Sequence, residues 1–172
     1  MKPYLHAGQH GFLKGRSTVT QLLECLHDWT SAIDSGQFVD VLYVDISKAF
    51  DSVSHPKLIA KLDRYGVRGH LLLWIKAFLA DRRQRVVIDN KFSRWLPVES
   101  GVPQGSVLGP LLFLVYINDL PYVVRYAQVK LFADDLKIYI ALLRSEPTTP
   151  LQDDIQEVLA WLNDNQLRAA FQ

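Results

Sequence analysis

The sequence is short of several features, and each shortage excludes a class of protein. Cys25 is the only cysteine among 172 residues, so no disulfide can form within the chain and a secreted, disulfide-stabilised scaffold is excluded. Excess charge is also missing, because 19 Lys and Arg oppose 18 Asp and Glu for a formal net charge of +1. Most dedicated nucleic-acid-binding proteins are far more basic. Composition alone therefore argues weakly against a nucleic-acid partner, and only a local basic patch could reverse this.

Long apolar runs are absent as well. The longest, residues 107–117, is broken by Gly109 and Pro110 and is far too short to span a bilayer. The first eleven residues are mixed and polar, unlike a signal peptide. We therefore expect a soluble, intracellular protein without a membrane partner, although nucleus and cytoplasm are not distinguished. With 49% hydrophobic residues, the chain can form one domain with a substantial core.

Hydropathy periodicity predicts an α+β domain, in which a few strands alternate with longer helices. A first helix begins at a Ser17 or Thr18 cap, ends near Gly36 and carries apolar positions at helical spacing: Val19, Leu22, Leu23, Leu26, Trp29 and Ile33. Further helices are predicted over residues 56–66, 71–80, 107–119 and 151–165. Strands are predicted over residues 38–46, as a hairpin of residues 85–88 and 92–98, and as a second hairpin within residues 129–140. Both faces of residues 38–46 are apolar, which predicts a central strand covered on two sides.

Three aspartates lie where a charge needs an explanation. Asp45 is near the end of the apolar strand, where an ionised carboxylate is costly unless a cation or hydrogen bonds compensate it. Asp134 and Asp135 are in the second hairpin, whose turn is centred on this pair or one residue earlier. Taken alone, the pair is explained by turn chemistry, since Asp tolerates tight turns. If the strands are neighbours, the three carboxylates form a suitable ligand set for two Mg²⁺ ions, which stabilise charge during phosphoryl transfer to a 3′ hydroxyl.

Four motifs occur in a fixed order along most of the chain. They are QHGF with GRST in residues 9–18, VDISKAFD in residues 44–51, SGVPQGS in residues 100–106 with its continuation to residue 121, and FADD in residues 132–135. Together they resemble the reverse transcriptase (RNA-directed DNA polymerase) domain of non-LTR retrotransposons. The resemblance implies a polymerase palm with part of the fingers, in which a small antiparallel sheet carries a catalytic hairpin and packs on helices. It implies a fingers-like segment over residues 1–37 and a palm over residues 38–172.

The resemblance also assigns roles to residues at the matching positions. Asp45, Asp134 and Asp135 would be catalytic and would bind two Mg²⁺ ions, with Mn²⁺ as a possible substitute. Phe50 would lie under the incoming sugar and favour dNTPs over NTPs. Taken alone, this phenylalanine is more simply explained as a core residue. Asp51 also matches the pattern, but we interpret it as capping a local turn.

Other residues would bind nucleotide or nucleic acid. The resemblance implies that Gln104 and Gly105 shape the nucleotide and template pocket. Arg16 could reach the triphosphate from the fingers. A local cluster of basic residues either contacts phosphates of the template–primer or is a solvated edge that its charge protects from aggregation. The cluster comprises Arg82, Arg83, Arg85, Lys91 and Arg94.

The implied activity is template-directed addition of dNTPs to the 3′ hydroxyl of a DNA primer on an RNA template. The family pattern continues beyond both ends, so we expect a truncated domain without thumb or endonuclease. The apolar face of the last helix, through Leu159 and Leu162, would then be partly exposed. One alternative is a catalytically inactive or domesticated remnant that acts as an interaction module. Another is a different palm-type nucleotidyltransferase such as a cyclase, which would not need the motif at residues 103–105. The sequence does not predict the oligomeric state.

Overall fold

The computed structural model describes residues 5–143 and 149–170. Its helices are α1 (Thr18–Asp34), α2 (His55–Arg64), α3 (Gly69–Leu79), α4 (Leu108–Ile117) and α5 (Thr149–Asp164), with a 3₁₀ helix over Leu120–Val123. Its strands are β1 (Phe38–Ile46), β2 (Arg83–Gln84), β3 (Val87–Ile88), β4 (Lys91–Phe92), β5 (Leu96–Pro97), β6 (Gln128–Phe132), β7 (Asp135–Leu142) and β8 (Ala169–Ala170). The predicted mixture of helices and strands is confirmed.

A four-stranded antiparallel sheet organises the domain in the order β6-β7-β1-β8. Strand β1 is therefore interior, as its apolar sequence predicts. The prediction that both of its faces are covered holds only in part, because Tyr43 is 66% exposed. Successive side chains alternate between the faces of a strand, and the face that carries Tyr43 is only partly covered.

Helices cover the two faces of the sheet unequally. Leu136 and Ile138 of β7 belong to the main core with Phe113 of α4 and Leu162 of α5. The side chains that alternate with them point to the opposite face, where the Tyr139 ring packs edge-on against Trp29 of α1. The main core thus lies on one face and α1 lies on the other.

Helix α1 begins as predicted and buries a different stripe from the one expected. Ser17 is its N-cap and forms a capping box with Thr20. The buried residues are Gln21, Cys25 and Ala32, whereas the predicted apolar positions Val19, Leu22, Leu23, Leu26 and Ile33 are all exposed. Helical spacing alone did not identify which stripe would face the sheet.

The C-terminal part of the described chain also differs from expectation. Strand β8 pairs with the end of β1, where Asp45 lies opposite Ala170 and Ile46 opposite Ala169. Leu162 is only 1% exposed, so the expected exposure of this residue is wrong, and Leu159 is partly buried against the core. The two-residue strand was too short for periodicity to reveal.

The first predicted hairpin forms as a broken ribbon. Asp89 and Asn90 are its turn, with φ values of 47° and 61°, which are the positive values that two-residue hairpin turns require. Each of its two ladders is only two residue pairs long. The polar side chain of Ser93 accepts the N–H of Val86 between them. The predicted turn is confirmed and the predicted strands are too long.

Candidate active site

The predicted carboxylates lie at one end of the sheet. Val44 of β1 pairs with Leu136 of β7, so Asp45 and Asp135 are the next positions along these antiparallel strands. Phe132 pairs with Asp135, which leaves Ala133 and Asp134 as the two turn residues. The turn therefore takes the earlier of the two registers that the sequence allows. Ala133 has a φ of 56°, a conformation that residues other than glycine adopt uncommonly.

Negative charge is concentrated at this turn. Burial raises the pKa of the Asp134 carboxyl above its ordinary value, and the charges of Asp135 and Asp45 raise it further, while a bond to its own backbone N–H lowers it. Each neighbouring carboxylate thus makes ionisation of Asp134 harder. A bound cation would reverse this repulsion.

Asp45 itself is exposed. The argument that its charge is buried within the strand is therefore wrong, and its position at the sheet's end carries the functional interpretation instead. Its side chain lines a cavity of about 350 Å³ with Asp135 and Gln21. The cavity opens between α1 and the sheet, and the buried Lys137 lies in its wall.

The carboxylates fit a divalent cation in donor chemistry. Mg²⁺ prefers oxygen ligands and commonly uses only one or two protein carboxylates, with water and phosphate oxygens completing its shell. Within residues 5–143 and 149–170, no three His, Cys, Asp or Glu side chains already form a group able to hold a metal ion. A pair of these carboxylates suffices for the Mg²⁺ chemistry described, so the site fits a metal that substrate oxygens help to bind.

A glycine-containing loop, residues 100–106, is fixed against the turn that follows β1. Gly101 N donates to Val53 O at 2.8 Å, and Val102 N donates to Phe50 O at 2.9 Å. Gly101 has a φ of 81°, and a Cβ there would lie 2.7 Å from Asp51 Cα, so only glycine allows this approach. The two motifs that the sequence separates by about fifty residues are in direct contact.

The Asp51 carboxylate helps to hold this loop. Its Oδ1 accepts a hydrogen bond from Gln104 Nε2 at 2.9 Å, and its backbone oxygen accepts one from the Ser100 hydroxyl at 2.7 Å. The side chain therefore bridges to Gln104, which the interpretation of Asp51 as a turn cap did not anticipate.

Phe50 packs against the core and also lines a cavity. One face of its ring stacks on Phe113 with 4.2 Å between centroids, which anchors it to the core. The ring also lines an open cavity of about 420 Å³ with Gln104 and Gly105. Cavities of this size accommodate small ligands, and three of the predicted nucleotide residues, Phe50, Gln104 and Gly105, are brought together here.

The predicted basic residues separate into two groups. The guanidinium of Arg82 donates to Gly101 O at 2.6 Å and Leu79 O at 3.1 Å, so it holds the loop internally. Arg83 and Arg85 are exposed. The Arg85 guanidinium lies over the Phe92 ring, with 4.1 Å to its centroid, and over the Trp95 ring, with 4.5 Å.

Arg16 is also partly engaged within the protein. Its Nη1 donates to Gln9 O at 2.7 Å and to Ala7 O. It lines a separate cavity with Lys14 and Leu111. The structure therefore does not bring Arg16 together with the lining of the Phe50 cavity.

Two buried polar side chains were missed by sequence reasoning. Gln9 is 2% exposed and accepts from the backbone of the hairpin turn. Asp154 is 1% exposed and accepts three backbone N–H groups, from Arg125, Tyr126 and Ala127, at 2.8 to 3.0 Å. Gln9 lies in the QHGF motif, but its bond to the turn was not foreseen, and Asp154 lies in no recognised motif. Each acts on residues that are distant in the chain.

Comparison with known families agrees with the geometry. The family described as reverse transcriptase (RNA-dependent DNA polymerase) matches residues 1–172. The chain belongs to this family. Reverse transcriptases of this kind use divalent metal ions and bind an RNA template and a primer.

Curated relatives of this reverse transcriptase chain come from mobile elements. It is 34% identical over 167 residues to the probable RNA-directed DNA polymerase from transposon BS of Drosophila melanogaster, covering 89% of this chain and 18% of that protein. It is 37% identical over 113 residues to the RNA-directed DNA polymerase from mobile element jockey of the same species, covering 66% of this chain and 12% of that protein. These homologues are non-LTR retrotransposon polymerases. The chain spans less than a fifth of the length of either.

A solved structure shares the fold of this reverse transcriptase chain. It is telomerase from Candida albicans, determined with a fragment of telomeric RNA, at a TM-score of 0.62 and 13% identity. The match covers 91% of this chain and 30% of the telomerase chain. Among the described helices, none combines the length and apolar character needed to cross a membrane.

Proposed function

We propose that this chain is the catalytic part of an RNA-directed DNA polymerase, which extends a DNA primer on an RNA template. The observation that carries the proposal is the convergence of Asp45, Asp134 and Asp135 at one end of the sheet, where burial and the two neighbouring charges raise the pKa of Asp134. Clustered carboxylates of this kind are costly to the fold and are characteristic of functional sites.

Asp45, Asp134 and Asp135 would together contribute carboxylate oxygens to two Mg²⁺ ions. When bound, the ions would stabilise charge on the entering 3′ oxygen and on the leaving phosphate. The protein's own contribution is to hold its carboxylates on the rigid end of two paired strands. Preorganised ligands need little rearrangement when substrate arrives.

The 420 Å³ cavity beside Phe50 is the proposed site of the incoming dNTP. The ring is fixed by its stack on Phe113, so it cannot yield easily to an added hydroxyl. It would therefore exclude a ribose 2′ hydroxyl. Gln104, held by Asp51, and Gly105 would form the side of the cavity that meets the nucleotide and the template.

The broken ribbon of β2 to β5 is the proposed contact with template–primer. Arg83 and Arg85 are exposed on it, and phosphates bind such side chains in a salt-dependent way. Arg82 is assigned a structural role because its guanidinium is already bonded within the chain. Residues 1–37 would form part of the fingers, and residues 38–172 the palm.

Primer extension tests this proposal. Purified chain, with poly-rA template, oligo-dT primer, dTTP and Mg²⁺, is expected to add dTMP, and the Asp134→Asn variant is expected to lose addition. Asn is close to Asp in size and should keep the same turn. Loss of addition in this variant would therefore reflect the missing carboxylate and not misfolding. A folded chain whose addition equals that of Asp134→Asn would favour the alternative, an interaction module that has lost catalysis.

A further inference from the structure

The side chain of Gln9 is buried between the N-terminal segment and the hairpin turn. It is only 2% exposed. Its Oε1 accepts two backbone N–H groups, from Gly11 at 2.7 Å and from Ala133 at 2.9 Å. Because two donors converge on one atom of the amide, that atom must be the oxygen. The bond to Ala133 spans 124 positions of sequence and ends on the residue directly before Asp134.

Residues 8–11 run beside β6 and carry Gln9 to the turn. Gln9 forms a parallel bridge with Leu131. On either side, His10 N donates to Leu131 O at 2.8 Å, and Leu131 N donates to Gly8 O at 2.9 Å. The backbone of this segment is thus fixed by the sheet itself, so the Gln9 side chain projects from a rigid support.

Gly11 lets this segment lie against the turn. A Cβ on Gly11 would overlap the backbone nitrogen of Ala133 and would lie 3.0 Å from its Cα. These neighbours are backbone atoms of a turn, which cannot move aside as a flexible side chain can. The close approach therefore requires glycine, and it brings Gln9 within hydrogen-bonding distance.

The turn needs this support because Ala133 is strained. Its φ of 56° is unfavourable for a residue with a Cβ, and such conformations persist only where the surroundings enforce them. Ala133 is also 4% exposed, so water cannot readily replace a lost acceptor for its N–H. The Gln9 carbonyl oxygen satisfies this N–H and fixes the plane of the Phe132–Ala133 peptide, which leads into the turn one residue before Asp134.

We propose that Gln9 is a positioning residue for catalysis, which holds the Ala133 peptide so that the Asp134 carboxylate points to the metal and nucleotide site. The inference rests on the proposed function, since it assumes that Asp134 binds the metal. Gln9 itself touches neither substrate nor metal in this account. Removing its oxygen should misdirect the Asp134 carboxylate. The loss of two buried hydrogen bonds should also lower the free energy of unfolding, without unfolding the chain.

The test compares Gln9→Met and Gln9→Asn with the parent chain. Met has a similar length and no strong acceptor, and Asn is too short by one methylene to reach Ala133 from the same backbone. In both variants, hydrogen exchange of the Ala133 amide, followed by NMR, should accelerate at least about 10-fold. Mn²⁺ affinity, measured by electron paramagnetic resonance, should weaken on the order of 10-fold, as is typical when the partner of a metal ligand is removed.

Kinetics give a third readout. In primer extension, kcat should fall with Mn²⁺ affinity, while KM for dTTP should change less, because the cavity beside Phe50 is untouched. Gln9→Glu keeps an oxygen at the same position and should restore the slow exchange of Ala133. Gln128→Met is the control, because Gln128 is an exposed glutamine on β6 and should behave as the parent.

The possible results separate this inference from the proposed function. If Gln9→Met and Gln9→Asn fold and retain parental Mn²⁺ affinity and kcat, the positioning role is overturned. It is also overturned if Mn²⁺ affinity falls only in proportion to the folded fraction. A parent chain that neither binds Mn²⁺ nor extends primer would refute the proposed function, whereas the exchange of Ala133 would still test the Gln9 bond. If Gln9→Met fails to fold, Gln9→Asn decides between the first two outcomes.

Discussion

Val44 on β1 lies directly across from Leu136 on β7. This pair fixes the relation between two motifs that are about ninety residues apart in sequence. Since side chains alternate along both strands, a register shift of one residue would turn Asp45 and Asp135 to opposite faces. The apolar core side chains of β7, which include Leu136 and Ile138, oppose such a shift. The hydrophobic core thus sets the geometry of the carboxylates.

Phe50→Ala is expected to increase incorporation of rUTP relative to dTTP. The substitution removes the ring that lines the 420 Å³ cavity proposed to hold the dNTP and leaves Asp45 and the hairpin unchanged. Because both nucleotides are tested on the same variant, loss of stability from the missing stack on Phe113 cancels in the ratio. Competitive primer extension with both nucleotides measures the ratio of rUTP to dTTP incorporation. An unchanged ratio in the variant would assign Phe50 to the core alone.

Arg83→Ala and Arg85→Ala are each expected to weaken template–primer binding. Each should also reduce the slope of log affinity against log salt concentration by about 1, since one phosphate contact is lost. Filter binding across a salt series measures both effects. Arg68→Ala is the matched control, because Arg68 is exposed at the start of α3 and away from the ribbon. Parental slopes in both ribbon variants would argue for a solvated edge instead.

Asp154→Ala is expected to destabilise the fold, without a direct effect on chemistry. The buried carboxylate accepts the N–H groups of Arg125, Tyr126 and Ala127, and its removal leaves these donors without their acceptor. The loss should be on the order of 3 kcal/mol, since hydrogen bonds to charged groups are strong and unsatisfied donors are costly. Urea denaturation measures it. Asp153→Ala, at an exposed neighbouring position, should be nearly neutral, and equal losses in both variants would contradict this assignment.

Acid should weaken the fold through His10. Burial lowers the pKa of His10 below its ordinary value, and Arg16 and Lys130 lower it further, while Glu24 raises it. Because the folded pKa lies below the unfolded one, the free energy of unfolding is highest above about pH 6.5 and decreases as pH falls through the folded pKa. The decrease is at most about 1.4 kcal/mol per pH unit for each proton.

Urea denaturation between pH 7.5 and pH 5 tests this titration. In His10→Gln, the free energy of unfolding should decrease less steeply with acid than in the parent. Some decrease should remain because of His6, whose pKa is also lowered, chiefly by burial. His27→Gln is the control, because His27 is exposed on α1. Identical pH slopes for the parent and His10→Gln would rule out His10 as the group responsible.

Local signals predicted much of this fold from sequence. Pro56 lies in the first turn of α2 and Ser17 caps α1, as the rules for helix starts indicate. The second hairpin was predicted because its apolar residues fall on one face with either of the two turn registers. Only the structure shows that the turn residues are Ala133 and Asp134. The order of the four motifs predicted the family, which their separate residue patterns could not.

The remaining features depend on contacts that no local pattern encodes. The buried stripe of α1 consists of Gln21, Cys25 and Ala32 and not of the larger apolar residues, so hydropathy selected the wrong face. Asp45 was expected to be buried because its strand is apolar, yet its side chain is exposed on the same face of β1 as Tyr43, which is only partly covered. Gln9 and Arg82 bond to backbone groups of distant segments, and neither role follows from residue type.

The central claim is that Asp45 and the Asp134 turn bind the same metal ions. Fe²⁺ can replace Mg²⁺ at oxygen-ligand sites, and with ascorbate and peroxide it cleaves backbone close to where it is bound. We expect two clusters of cuts, around residue 45 and around residues 133–135, which excess Mg²⁺ suppresses. Both clusters should disappear together in Asp45→Asn and in Asp134→Asn, and persist in Asp153→Asn. Cuts at only one of the two places, or loss of one cluster without the other, would contradict the shared site.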